Sequence, residues 1–191
     1  TTIENLLIPY QLKLFGYSSS DALSIYGILT GMAFAIIMFP TVLTNSISVL
    51  LLPVVSEAQA KHNDRLIREA IIKTTESCLL LGLLCTIGLL VLGDFIGNFI
   101  FKNALSATFI VTMSWICPFL YLGSTLNSIF HGLGKPGITL FLNLFSCLIR
   151  ILFIIFLIPV IGIKGYLTGL LISQIALCVL ALLWLYRLMK K

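Results

Sequence analysis

Five predominantly apolar runs, each long enough to cross a bilayer as a helix, constrain this sequence more than any other feature. A hydrocarbon core about 30 Å thick needs roughly 20 apolar residues of helix. The runs lie at about Tyr26–Val55, Ser77–Phe101, Ala104–Phe130, Gly137–Ile158 and Gly165–Tyr186. The first is free of charge from Ala22 to Ser56, and the second is interrupted only by Asp94. A shorter run, Ile3–Phe15, carries Glu4, Pro9 and Lys13 and reads as the end of a sixth helix whose beginning is missing. The opening Thr1-Thr2-Ile3-Glu4 has neither an initiator Met nor a signal peptide, which fits a piece of something longer. Outer-membrane strands are about ten residues of strict alternation, and Cys78–Leu92 does not alternate. The reading is an all-α polytopic transmembrane bundle.

Composition agrees. Hydrophobic residues make up 59% and charged residues 10%, with a mean hydropathy of +1.12. A soluble domain carries about 25% charge, so a water-soluble globule is excluded, as is disorder. The net charge of +5 comes from 12 Lys and Arg set against only 7 acids. Topology accounts for it without nucleic acid. Lys61, Arg65, Arg68, Lys73, Lys135, Arg187, Lys190 and Lys191 fall on one side of the alternating runs; Lys102 and Lys164, with Lys13, fall on the other. Basic residues stay cytoplasmic, so the C-terminus is expected inside. Between the first two runs, Ser56–Glu76 is charged and helix-prone. With Leu66, Ile67, Ala70 and Ile71 sharing a face opposite Arg65, Arg68 and Glu69, it reads as a cytoplasmic amphipathic helix lying along the membrane surface.

Signatures of covalent chemistry are missing. Cys78, Cys85, Cys117, Cys147 and Cys178 are scattered without CxxC spacing, so no metal site and no cofactor are expected. His62 sits among the solvated charges. The loop His131-Gly132-Leu133-Gly134-Lys135-Pro136 lacks the spacing and the preceding strand of a phosphate-cradling loop. It reads as a turn, with glycines ending one helix and Pro136 starting the next. No carboxylate pair, Ser-His-Asp set or HExxH stretch occurs. The chain reads as no enzyme.

Small and polar residues instead form stripes. Ser114, Pro118, Tyr121, Thr125 and Ser128 recur at spacings of four and three in the third full run. In the fourth, Asn143, Ser146, Cys147 and Arg150 share a face opposite Phe141, Leu148 and Leu152. The first has Thr41, Thr44, Asn45 and Ser48 after Pro40; the fifth has Tyr166, Gly169, Ser173 and Gln174. Small and hydroxyl residues let membrane helices approach closely, which is the alternative to a polar cavity. Arg150 lies about 13 residues, hence about 20 Å, past Gly137. A charge at that depth costs at least ~2.5 kcal/mol and should face a polar interior, or else snorkel outward. Arg150, Asn143, Ser146, Tyr121, Thr125 and Asn45 are the candidate cavity residues. Pro40 and Pro53 are candidate kinks in the longest run.

Several segments carry a family likeness: Tyr26-Gly-Ile-Leu-Thr-Gly-Met-Ala33, Phe39-Pro-Thr-Val-Leu-Thr44, Leu52-Pro-Val-Val-Ser-Glu-Ala58, Phe130-His-Gly-Leu-Gly-Lys-Pro136 and Ile158-Pro-Val-Ile-Gly-Ile-Lys-Gly-Tyr166. With Ile8-Pro9 through Gly16, they resemble, in order, the C-terminal half of the polysaccharide biosynthesis transporters of the stage V sporulation protein B type. These belong to the multidrug/oligosaccharidyl-lipid/polysaccharide flippase superfamily. The resemblance implies one lobe, about six helices with the first truncated, of a two-lobe fold around a central cavity. It also implies a bacterial cytoplasmic membrane and a role in cell-wall or sporulation polysaccharide synthesis. The partners implied are a lipid-linked glycan, membrane lipids and the missing N-terminal lobe. Related lipid II flippases place cavity arginines on the helix matching Tyr26–Val55. That helix carries no basic residue here, which leaves Arg150 as the deep cation.

The expected function is therefore flipping of a lipid-linked oligosaccharide or peptidoglycan precursor by alternating access. A cation-coupled multidrug exporter of the same superfamily would need an intramembrane carboxylate, for which Asp94 is the candidate. A membrane glycan transferase would need an acid cluster on the outer side, where only Asp21 and Asp94 stand.

Overall fold

The computed structural model describes residues 2–61 and 63–189. His62, Lys190 and Lys191, assigned above to the charged side, lie outside the described residues. Seven helices follow one another: α1 (Thr2–Phe15), α2 (Ser19–Met38), α3 (Thr41–Ala60), α4 (Asp64–Phe95), α5 (Ala104–Gly132), α6 (Pro136–Ile161) and α7 (Ile163–Met189). No strand occurs among the described residues. Six segments are apolar and long enough to span a bilayer, α2 and α3 each being one of them.

These two are one crossing. A hairpin would lay α2 against α3, but α2 packs on the first half of α5 and α3 on its second half. The pair therefore runs beside α5 as a single long helix, bent at Phe39–Pro40. The run read as Tyr26–Val55 is longer at both ends than its apolar core. It begins at Ser19 because the Ser18 hydroxyl accepts the Asp21 N–H at 3.1 Å and so caps the first turn. Its bend is tightened by i→i+3 bonds, Phe39 N–H to Ile36 O and Leu43 N–H to Pro40 O. A π-helical turn at Leu29–Ala33 precedes it. Pro53, the other candidate kink, sits inside α3 without interrupting it.

The segment 56–76 is not a separate surface helix. Residues 56–60 complete α3, a turn follows, and Asn63 caps α4 by accepting the Leu66 N–H at 3.1 Å. From there α4 runs on continuously into the apolar span. The buried Ile67 and Ile71 pack into the bundle with Val55 and Ala58, and that burial outweighs lying flat on lipid.

α5 is the central helix and the most buried of the spans. α2–α3, α4 and α7 surround it, α6 lies against α7, and α1 rests on α6 and α2. Two apolar clusters stack along the bundle. One, around Ile37, Ile110, Met113 and Ile158, lies towards the Gly16, Lys102 and Gly162 turns; the other, around Val55, Leu126, Phe130 and Leu185, lies towards the Lys135 turn. Large apolar side chains such as Leu84, Val91, Leu148 and Phe156 face outward, as a lipid-facing surface requires.

Close packing in lipid depends on small residues and shared hydrogen bonds, since lipid tails are as apolar as leucine. Gly82 of α4 meets Pro118 of α5 so closely that a Cβ there would lie 2.4 Å from the Pro118 Cα. Pro118 cannot donate to the Ser114 carbonyl, and the Thr86 hydroxyl reaches across to that oxygen at 3.0 Å. A short 3-10 turn, Ser114–Ile116, marks the place. At the other bend, the Ile37 carbonyl accepts from the Tyr121 hydroxyl at 2.9 Å, and the Met38 carbonyl accepts from Thr41. The two prolines and three hydroxyls thus serve the same device at two bends. Broken backbone is held by neighbouring helices.

Candidate functional site

A hollow of about 850 Å³ opens where the Pro40 bend, α5, α6 and α7 diverge. α6 contributes Thr139, Asn143, Ser146 and Arg150; α5 contributes Ser124, Asn127 and His131; the bend contributes Thr41 and Asn45; α7 contributes Gln174. Among the described residues no carboxylate lines it. The spacing 139, 143, 146, 150 is one face of α6, as the stripe in the sequence requires. Its apolar opposite, Phe141, Leu148 and Leu152, faces outward.

Four of the six candidate residues, Arg150, Asn143, Ser146 and Asn45, come together here. Tyr121 and Thr125 do not. Both are fully buried in helix packing. The Tyr121 hydroxyl is spent on the bend; the Thr125 hydroxyl donates to the Tyr121 carbonyl at 3.0 Å and lies 3.1 Å from Cys78 Sγ. The face of α5 that lines the hollow is the adjacent one, Leu120, Ser124, Asn127 and His131. Those residues also recur at spacings of four and three, and that signal was available in the sequence. Ser146 straddles both roles, since its hydroxyl donates to the Ser173 carbonyl at 3.5 Å while it borders the hollow.

Arg150 has a partner within the same lobe. Its Nε lies 3.1 Å from Glu4 Oε1, and the two side chains are 21% and 7% exposed. The Nε–H is not aimed at that oxygen, so the contact is an ion pair without an aligned hydrogen bond. Nearby, the Tyr26 hydroxyl donates to Asn5 Oδ1 at 2.7 Å, which ties α1 to α2. Glu4 was not among the candidates. It is the deeply buried carboxylate of this bundle, whereas Asp94 is exposed near the end of α4.

Two further facts bear on the chemistry of the hollow. Asn127 Oδ1 and Thr139 Oγ1, both on residues lining it, are buried without a hydrogen-bond partner among the described residues, as are side-chain atoms of Gln11, Ser48 and Thr75 elsewhere in the bundle. Such atoms cost about 1–3 kcal/mol each when left unmet. No group of His, Cys, Asp and Glu suited to holding a metal ion occurs among the described residues.

Comparisons with known proteins place this arrangement. The family model described as "Lipid II flippase MurJ" matches residues 25–191. Stage V sporulation protein B of Bacillus subtilis (strain 168) is 24% identical over 164 residues, covering 85% of this chain and 32% of that protein. A solved structure described as the outward-facing conformation of a multidrug resistance MATE family transporter of the MOP superfamily superposes with a TM-score of 0.80. That match is 13% identical and covers 98% of this chain and 44% of the other, so it establishes likeness of fold. The chain spans about a third of the curated relative's length and under half of the structural neighbour's. It is a multi-pass membrane protein with the fold of one transporter lobe, and it belongs to the Lipid II flippase MurJ family.

Proposed function

We propose that this chain forms one lobe of a flippase that carries a lipid-linked sugar precursor across the bacterial cytoplasmic membrane. The observation that supports it most is the hollow, lined by no carboxylate among the described residues, with two unmet polar atoms and one deep cation. A diphosphate-linked sugar brings acceptor oxygens and hydroxyls to such a surface, while its prenyl tail stays in lipid. Asn127 and Thr139 meet the neutral part of the head group, and Arg150 meets the phosphate, which a guanidinium binds in bidentate fashion. Glu4 holds Arg150 until then, so substrate and Glu4 compete for one cation. The Pro40 bend, which supplies Thr41 and Asn45, is the hinge about which the lobe rocks against its partner lobe in alternating access. Because the basic residues gather at the Lys135 end, that end and the C-terminus are cytoplasmic.

The cation-coupled exporter gains one supporting observation, the buried Glu4, which replaces Asp94 as the candidate coupling carboxylate. The pairing of Glu4 with Arg150 favours the flippase, since a coupling carboxylate must be free to take up an ion. Proteoliposomes of the full-length protein, loaded with a fluorescent prenyl-diphosphate sugar, test the two readings. Flipping that is lost in Arg150→Lys at normal abundance supports the flippase. Cation-driven export of a hydrophobic dye, with no movement of the lipid-linked sugar, refutes it.

A further inference from the structure

A second hollow, of about 350 Å³, lies at the Lys135 end of the bundle and shares no lining residue with the polar hollow. Arg65 and Arg68 from the first turns of α4 and Lys135 from the α5–α6 turn line it, over an apolar floor of Ile67, Leu133 and Leu185. The floor is buried and the cations are exposed. Arg65 Nε lies 3.2 Å from Glu69 Oε1, while Arg68 and Lys135 form no ion pair among the described residues. Among the described residues no carboxylate lines the hollow. It also adjoins the N-terminus of the 32-residue α4, the positive end of that helix's dipole.

Lys135 is shared with a neighbouring groove. That groove, about 430 Å³, runs along Gly137, Ile138 and Phe141 of α6 and Trp184 of α7 and is almost wholly apolar. A cationic socket on an apolar floor, opening through one lysine into an apolar groove beside a tryptophan, has the plan of a phospholipid: phosphate above, acyl chain below. Basic pockets between helix ends at a charged membrane face suit anionic head groups, and tryptophans sit at that level. A soluble anion would use the socket and leave the groove unexplained.

We infer that Arg65, Arg68 and Lys135, with the Ile138–Phe141–Trp184 groove, form a binding site for an anionic phospholipid. The site is independent of the transport reading. Its phosphate is held by the three cations, and one acyl chain lies across Trp184. Occupancy would brace the α4 start, the α5–α6 turn and the end of α7 against one another.

Fluorescence quenching in bilayers tests the assignment. The full-length protein is reconstituted with phosphatidylglycerol or phosphatidylcholine carrying brominated acyl chains at equal mole fraction. The Trp184 signal is isolated by difference from Trp184→Phe. Phosphatidylglycerol should quench Trp184 at about fivefold lower mole fraction for each engaged cation. Arg65→Gln, Arg68→Gln and Lys135→Gln together should remove that preference, while the charge-keeping set Arg65→Lys, Arg68→Lys and Lys135→Arg retains most of it and shows that the fold holds. Equal quenching by the two lipids in the parent overturns the proposal, as does a preference that survives the triple Gln variant. If millimolar inorganic phosphate abolishes the preference, the socket takes free phosphate and the lipid assignment falls.

Discussion

Removing Arg150 should damage this lobe far more than removing Glu4, because the two partners are not equally sheltered. Glu4 is 7% exposed and Arg150 21%, with Arg150 opening into the polar hollow. Arg150→Ala takes the cation away from a buried carboxylate, and breaking a buried pair in this way costs about 3–5 kcal/mol. For a bundle of this size that corresponds to a melting temperature lower by roughly 10 °C. Glu4→Gln keeps the shape of the side chain and leaves a guanidinium that the hollow can hydrate, so its cost should stay near the 1–3 kcal/mol of one lost polar partner. The double variant Glu4→Gln/Arg150→Ala removes both charges and should recover much of the Arg150→Ala loss, giving a coupling energy of opposite sign to the single cost. Thermal unfolding of the full-length protein in one detergent, followed by tryptophan fluorescence, measures all three. The reasoning is refuted if Arg150→Ala and Glu4→Gln are equally mild, or if the double variant is no more stable than Arg150→Ala.

Cysteines placed at Lys135 and Lys102 should label in opposite senses, Lys135→Cys only after permeabilisation and Lys102→Cys in intact cells; labelling of Lys135→Cys from outside would invert the topology. Gly82→Ala drives a Cβ to 2.4 Å from the Pro118 Cα and should cost about 1–3 kcal/mol by melting, whereas Gly88→Ala, with nothing within 4 Å, should gain up to about 1 kcal/mol. Tyr121→Phe strips the hydroxyl from the Ile37 carbonyl at the bend and should destabilise by about 1–3 kcal/mol; a neutral result would mean that the bend holds itself.

How far the sequence could be read follows from the reach of each signal. The spans were legible because their apolar length has few other uses in water or lipid. The α6 stripe was legible because Asn143, Ser146 and Arg150 repeat at helical spacing beside apolar neighbours. The α5 stripe misled, because helical spacing identifies a face without saying what it meets. Tyr121 and Thr125 turn towards α2 and α4, and the parallel row Ser124, Asn127 and His131 reaches the hollow. The amphipathic pattern of Ser56–Glu76 was real, but a turn of α4 that buries Ile67 and Ile71 gives the same pattern as a helix lying on lipid. The start of α2 could have been found, since Ser18 and Asp21 stand at capping spacing before the apolar run. The π-helical turns at Leu29–Ala33 and Ile96–Ile100 leave no periodic trace. Nor does the pairing of Glu4 with Arg150, which lie at opposite ends of the chain.

The hydroxyl groups of this lobe fall into two populations, and proline is what separates them. Thr86 donates, beside the Cys117 N–H, to the Ser114 carbonyl that Pro118 cannot bond, and Tyr121 and Thr41 donate to carbonyls beside Pro40. In hydrocarbon an unmet backbone oxygen is too costly to keep, so these side chains are committed to structure. Asn127 and Thr139 stand away from any such break, and each keeps a side-chain oxygen without a partner among the described residues. The same pressure that recruits Thr86 and Tyr121 would have removed or paired those two if lipid covered them. Their persistence on one concave face argues that the face meets a second lobe, water or a polar head group during the protein's work. A polar residue within reach of a proline-broken turn is therefore read first as packing, and one remote from any break as a candidate for the site.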